Sequence, residues 1–182
     1  LMGMFHGMMA TGFWDPDRGS NMLDTGAHFY DVYECSDGGW ISIGSIEPQF
    51  YAELIEKLGL DPEVFAGQHD RSRWPDLKRR VAEVVATRTR DEWDEILEGS
   101  DVCYAPVLSA HEATEHPHNV ERGTFVKVAG LVQPGPAPRL SRTPGEVRHP
   151  PAHPGQHTDE VLSMAGYDAG EIATLRSSGA VA

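Results

Sequence analysis

The sequence is short of positive charge. Fifteen Lys and Arg stand against 28 Asp and Glu, for a formal net charge of −13. A nucleic-acid-binding surface needs clustered cations, so this balance argues against one. The densest basic run, "DLKRR" at 76–80, lies in a helix-like segment with acidic neighbours and reads as a solvated helix face. Cysteine is scarce too. Cys35 and Cys103 are far apart and form no CxxC pair, which leaves neither a disulfide framework nor a thiolate zinc site. Both flank strand-like runs and are expected as buried free thiols, in keeping with a reducing, cytoplasmic compartment. Long hydrophobic runs are missing as well. The apolar start, "LMGMFHGMMATGFW", is too short to span a bilayer and has no basic leader or clear cleavage site. It begins with Leu and reads like the tail of a helix that starts earlier, so the chain is expected to be part of something longer.

What is present suits a soluble α/β protein. The 182 residues, 40% of them hydrophobic, suffice for one domain with a proper core, or for a domain with extensions. Residues 1–13 look helical, and "WDPDRGSN" is turn chemistry. "AHFYDVYEC" and "WISIGSI" are β-rich runs around "SDGG", a hairpin signal with Asp-Gly at its centre. Helices follow in "EPQFYAELIEKLGL", with Gly59 as its C-terminal stop, and in "RSRWPDLKRRVAEVVATRT", read as interrupted early by Pro75. "TRDEWDEILEG" opens on the N-cap Thr89, "VCYAPVL" is a short strand, and "SAHEATEH" is a brief helix. From about residue 130 the chain is dense in Pro and Gly, with no helical or strand period, and is expected to be extended. Two short helices close it, capped by Thr158 and Asp168, with Gly166 between them. No internal repeat stands out.

The most informative stretch is "GGWISIGSIEPQFY", residues 38–51. A strand-like run ends at Glu47, and Pro48 opens a helix immediately afterwards. Free N–H groups and the helix dipole would hold an ionised carboxylate there. Two readings stand: a helix-capping acid, or a positioned carboxylate that orients a histidine or accepts a proton. The histidines at 116–118 and at 149, 153 and 157 have no standard ligand spacing across their prolines, so no metal is expected.

The segment "RGSNMLDTGAHFYDVYECSDGGWISIGSIEPQFYAELIEKLGL" resembles the α-methylacyl-CoA racemases of the family III CoA-transferase superfamily. The likeness continues through "DRSRWPDLKRRV", "SDVCYAPVLSAHEATEHPHNVERGTF", "PAPRLSRTP" and "GQHTDEVL", and so covers nearly the whole chain. "NMLD-G" followed by "IEPQFY" is its most specific part.

The resemblance implies inversion of the carbon beside a CoA thioester carbonyl through an enolate. A histidine supported by a glutamate works on one face of that carbon and an aspartate on the other. Glu47 matches the glutamate. The histidine and aspartate match no position here and are expected in an N-terminal half outside this chain. Met4, Met8 and Met22 match a methionine-rich acyl wall, with Leu23 and Ile46 nearby, and Tyr30 matches a pocket tyrosine; the methionines read equally as core packing. The resemblance also implies an α/β fold of two domains. Residues 1–30 would be a connecting helix and linker, 31–115 a small α/β domain, and 116–156 a return linker. Residues 157–182 would pack on a Rossmann-like large domain. Two subunits would interlock as a homodimer, with acyl-CoA as substrate and no cofactor beyond that CoA. A CoA-transferase of the same superfamily and a non-catalytic dimerising module remain alternatives.

Overall fold

Asp37 and Gly38 turn the chain back between two β-rich runs, and the site is built on the sheet that results. The computed structural model describes residues 2–182; Leu1, the first residue of the expected N-terminal helix, lies outside them. In order come α1 (Gly3–Ala10), β1 (Tyr30–Glu34), β2 (Trp40–Gly44), α2 (Pro48–Lys57), α3 (Trp74–Val85), α4 (Arg90–Leu97) and β3 (Tyr104–Val107). Then follow α5 (Ala110–Glu115), α6 (Pro117–Glu121), β4 (Phe125–Val128), β5 (Leu131–Pro134), α7 (Thr158–Met164) and α8 (Ala169–Ser177). The chain falls into two compact units, one ending at Ser109 and one running from Ala110 to Ala182.

In the first unit β1, β2 and β3 form an antiparallel sheet in that order, with Tyr33 opposite Ile41 and Ile43 opposite Tyr104. Period-two alternation puts Tyr33, Ile41 and Ile43 on the buried face. Leu54, Ile55 and Leu58 from the α2 region, Leu77, Val81 and Val85 from α3, and Trp93 and Leu97 from α4 complete that core. Burial of each such side chain stabilises the fold by roughly 1.5–3 kcal/mol. Val32, Trp40 and Val107 point to the opposite, exposed face. Gly59, at φ +65°, lets the chain leave α2 in a left-handed conformation. Thr89 and Glu92 form a reciprocal capping box on α4.

Several local expectations are corrected. Pro75 does not interrupt a helix; it sits in the first turn of α3, where a missing N–H is harmless. Cys35 is buried, but Cys103 is exposed, because a left-handed backbone (φ +53°) just before β3 turns it out of the core. The Pro- and Gly-rich stretch is not wholly extended. Leu131–Pro134 pairs with Phe125–Val128 through a turn at Ala129 and Gly130, both at positive φ, the geometry that matches strand twist. A separate helix, α6, opens on Pro117. Thr158 is the first helical residue of α7 and His157 occupies the cap, whereas Asp168 caps α8 reciprocally with Glu171.

Candidate functional site

The site begins where β2 ends. Ser45 is fully buried; its Oγ donates to the Val102 carbonyl at 2.6 Å and its N–H to the Phe29 carbonyl at 3.0 Å. These bonds anchor the strand end, so the next two residues, Ile46 and Glu47, leave the sheet in a fixed direction. Glu47 takes the N-cap position of α2 with extended backbone (φ −72°, ψ 143°), and its carbonyl accepts the Tyr51 N–H at 3.0 Å. Its side chain makes no capping hydrogen bond among the described residues and is exposed. Glu47 thus holds the cap position that one reading expected, without a capping bond from its side chain. A glutamate side chain is longer than the Ser, Thr, Asp and Asn that fit a cap. The carboxylate is left available to face a neighbour.

What it faces is an apolar cavity of about 560 Å³, within the range typical of small-molecule sites. Met8, Phe13, Trp14, Met22, Leu23 and Trp74 supply its apolar lining. Ile46, Glu47 and Pro48 contribute from the strand end, and Asn21, His69 and Arg71 add the remaining polar groups. The cavity therefore brings together five of the residues expected from sequence: Met8, Met22, Leu23, Ile46 and Glu47. It does not include Met4, which is 63% exposed on α1, or Tyr30, whose half-buried ring lies against Gly44 on the sheet.

Sequence reasoning missed Gln68, His69, Arg71 and Trp74. Gln68 is buried, and its Nε2 donates to the carbonyls of Ser45 at 3.1 Å and Ile46 at 2.9 Å. Trp74 Nε1 donates to the Gln68 carbonyl at 2.8 Å. The exposed ring of His69 packs edge-on to Phe29, centroids 5.7 Å apart. Arg71 lies over the Trp74 ring at 5.6 Å and reaches the 20–21 loop. The available signal was the string "QHDRSRW", a polar run closed by a tryptophan and partly covered by the family resemblance.

Electrostatics follow the geometry. Local desolvation raises the Cys103 thiol above its usual range, and the negative charges of Glu47 and then Asp101 add to the effect. Burial pulls the Asp24 carboxyl upward, but hydrogen bonds from Asn21 and Gly19 outweigh it and hold the group below the usual carboxylate range. No cluster of three or more His, Cys, Asp or Glu able to hold a metal occurs among the described residues. No described helix is long and apolar enough to cross a membrane.

The model of CoA-transferase family III matches residues 2–158. The chain belongs to CoA-transferase family III. It is 44% identical over 169 residues to the α-methylacyl-CoA racemase of Mus musculus, covering 91% of this chain and 44% of that protein. To the Homo sapiens α-methylacyl-CoA racemase it is 42% identical over 167 residues, covering 90% of this chain and again 44% of the relative. The chain thus spans less than half the length of these curated relatives. A CaiB/BaiF family protein from Brucella suis has a similar fold, with a TM-score of 0.68 at 16% identity over 90% of this chain and 44% of that one. The mixed α/β architecture of this family III chain accordingly has solved counterparts.

Proposed function

We propose that this chain carries the C-terminal portion of an α-methylacyl-CoA racemase, an isomerase that inverts the α-carbon of 2-methylacyl-CoA thioesters. One observation carries the reading: Glu47 opens onto a cavity walled by Met8, Met22, Leu23 and Ile46, in a chain 44% identical to the mouse racemase. A flexible, polarizable methionine wall accepts acyl chains of varied shape. The reaction then needs a base to take the α-proton, an enolate, and an acid on the opposite face to return a proton. In this reading Glu47 hydrogen-bonds a histidine supplied by sequence outside these 182 residues, fixes its tautomer and favours its charged form. The partner aspartate comes from the same outside sequence.

The reading extends to assembly and setting. The cavity wall formed by Met8, Phe13 and Trp14 precedes the sheet in sequence, as a connecting segment between two domains would. Residues 31–115 act as the small domain, 116–156 as a return linker, and 157–182 as helices that dock on the large domain. The longer protein is an interlocked homodimer in which Glu47 serves the partner's histidine. Met4, exposed on α1, and Tyr30, on the sheet, join the acyl site only in that assembly. No cofactor is called on beyond the CoA of the substrate. Two free thiols suit a cytoplasmic location.

The family name itself favours a second reading, transfer of CoA from a thioester to a free carboxylate, with the donor acid released. A chimera in which this chain replaces the matched segment of the mouse racemase separates the two. Racemisation of a single 2-methylacyl-CoA epimer without CoA transfer to a free acid is the expected result. Transfer without racemisation would assign the chain to the transferases. A chimera that folds, dimerises and does neither would leave a non-catalytic module.

A further inference from the structure

The cavity lining draws on different stretches of chain, among them one bearing Met22 and Leu23 and another bearing Ile46 and Glu47. Met22 and Leu23 lie in a short 3-10 turn capped by Asn21, and Ile46 and Glu47 leave β2 after the Ser45 anchor, so contacts between the two stretches bear on their separation. The segment between α2 and α3 makes polar contacts with both. Gln68 spends both amide hydrogens on consecutive carbonyls, Ser45 at 3.1 Å and Ile46 at 2.9 Å, directly before Glu47. Three residues on, Arg71 Nη2 donates to the Ser20 carbonyl at 2.8 Å and to Asn21 Oδ1 at 3.0 Å, directly before Met22. Trp74 closes the segment by donating to the Gln68 carbonyl at 2.8 Å and lying beneath the Arg71 guanidinium.

The receiving residue is built for this. Asn21 is 2% exposed. Its Oδ1 also accepts the Asp15 N–H at 2.8 Å, and its Nδ2 donates to the Asp15 carbonyl and to Asp24 Oδ2, each at 2.9 Å. A pull on Asn21 is therefore transmitted to the whole 15–24 loop. A buried amide with its donors and acceptor engaged specifies one arrangement, since any other strands a polar group.

Resting on the acyl-site reading above, we propose that Gln68 and Arg71 are positioning residues that strap the acyl wall to the Glu47 wall and so set which acyl chain lengths the cavity accepts. Gln68 joins Ser45 in fixing the strand end that aims Glu47. Arg71 fixes the loop that carries Met22 and Leu23. Lysine could not replace Arg71 fully, because it lacks the planar fork and the stacking face.

The test titrates the chain with isobutyryl-CoA and with 2-methyltetradecanoyl-CoA by calorimetry. The native chain is expected to favour the longer thioester by about fourfold for each methylene the cavity buries. In Arg71→Met, which keeps the apolar stem, that preference should fall about tenfold, as expected for lost hydrogen bonds to a charged donor. The circular dichroism spectrum should stay unchanged, which shows that the variant is folded. Arg71→Lys should restore part of the preference. An unchanged ratio in a folded Arg71→Met chain overturns the proposal while leaving acyl binding standing. Should the native chain bind neither thioester, acyl binding requires the longer assembly of the proposed reading. The strap is then judged by amide hydrogen exchange at Asp15, Asn21 and Gly26: faster exchange in Arg71→Met supports it, and unchanged protection overturns it.

Discussion

Lowering the pH from 7 to 5 is expected to destabilise the first unit through His28. This residue is fully buried among Phe29, Tyr51 and Phe65. Tyr51 Oη donates its proton to the Phe65 carbonyl at 2.9 Å, so at 2.7 Å it accepts from His28 Nε2–H. That fixes the neutral tautomer, and Nδ1 has no hydrogen-bond partner among the described residues. Burial, followed by the positive fields of Arg73 and His69, lowers the His28 pKa from 6.5 to about 4. Above pH 6.5 the ring is neutral in both states. Between pH 6.5 and 4 the unfolded chain holds a proton that the folded chain lacks, so stability falls as pH falls. The loss is about 2 kcal/mol from pH 7 to 5 and about 3 kcal/mol by pH 4, where it levels off. Trp14, Trp40, Trp74 and Trp93 all lie in the first unit, so urea unfolding followed by tryptophan fluorescence reads that unit. His28→Phe supplies the control and should flatten the pH dependence between 6.5 and 5. Equal slopes in the native and variant chains would refute the assignment of the proton to His28.

Other outcomes follow from the same structure. Leu77→Ala, at a fully buried site in α3, should cost about 3 kcal/mol in the same urea assay, and a loss below about 1 kcal/mol would mean that α3 is loosely packed. Thr89→Ala should cost about 1 kcal/mol by removing the α4 capping box, read as a lower urea midpoint. One thiol, Cys103, should react rapidly with Ellman's reagent while Cys35, buried and pushed up to about 11, stays protected. Glu47→Gln should speed alkylation of Cys103 near pH 8, because removing the carboxylate charge lowers the thiol pKa; an unchanged rate would place Glu47 too far from Cys103 to be felt.

Local rules carried much of this fold. Asp37-Gly38 marked the hairpin, Pro48 and Gly59 bounded α2, and Thr89 announced α4, because each acts within a few residues of itself. The β4–β5 hairpin escaped notice because Pro134, Pro136 and Pro138 gave the stretch an extended look, while the turn at Ala129 and Gly130 was a weaker signal than Asn-Gly or Asp-Gly. Thr158 was a reasonable cap by type, yet the helix starts one residue earlier than that reading requires. The site was legible in part. Met8, Met22, Leu23, Ile46 and Glu47 emerged through the family resemblance and meet in one cavity. Gln68 and Arg71 did not, because their partners at 45–46 and 20–21 are 22 to 51 residues away in sequence, and no local pattern encodes such contacts. Exposure of the Glu47 side chain likewise depends on the direction in which Ser45 releases the chain, which only the folded sheet defines.

The most direct measurement is α-proton exchange. The chimera carrying this chain in the mouse racemase is incubated with a 2-methylacyl-CoA in heavy water, and loss of the α-proton is followed by NMR. With Glu47→Gln the exchange rate should fall by about 100-fold or more while thioester affinity stays within about twofold, as for a residue that holds a proton-transfer group in place. Exchange in the variant within about twofold of the unsubstituted chimera would contradict the role assigned to Glu47.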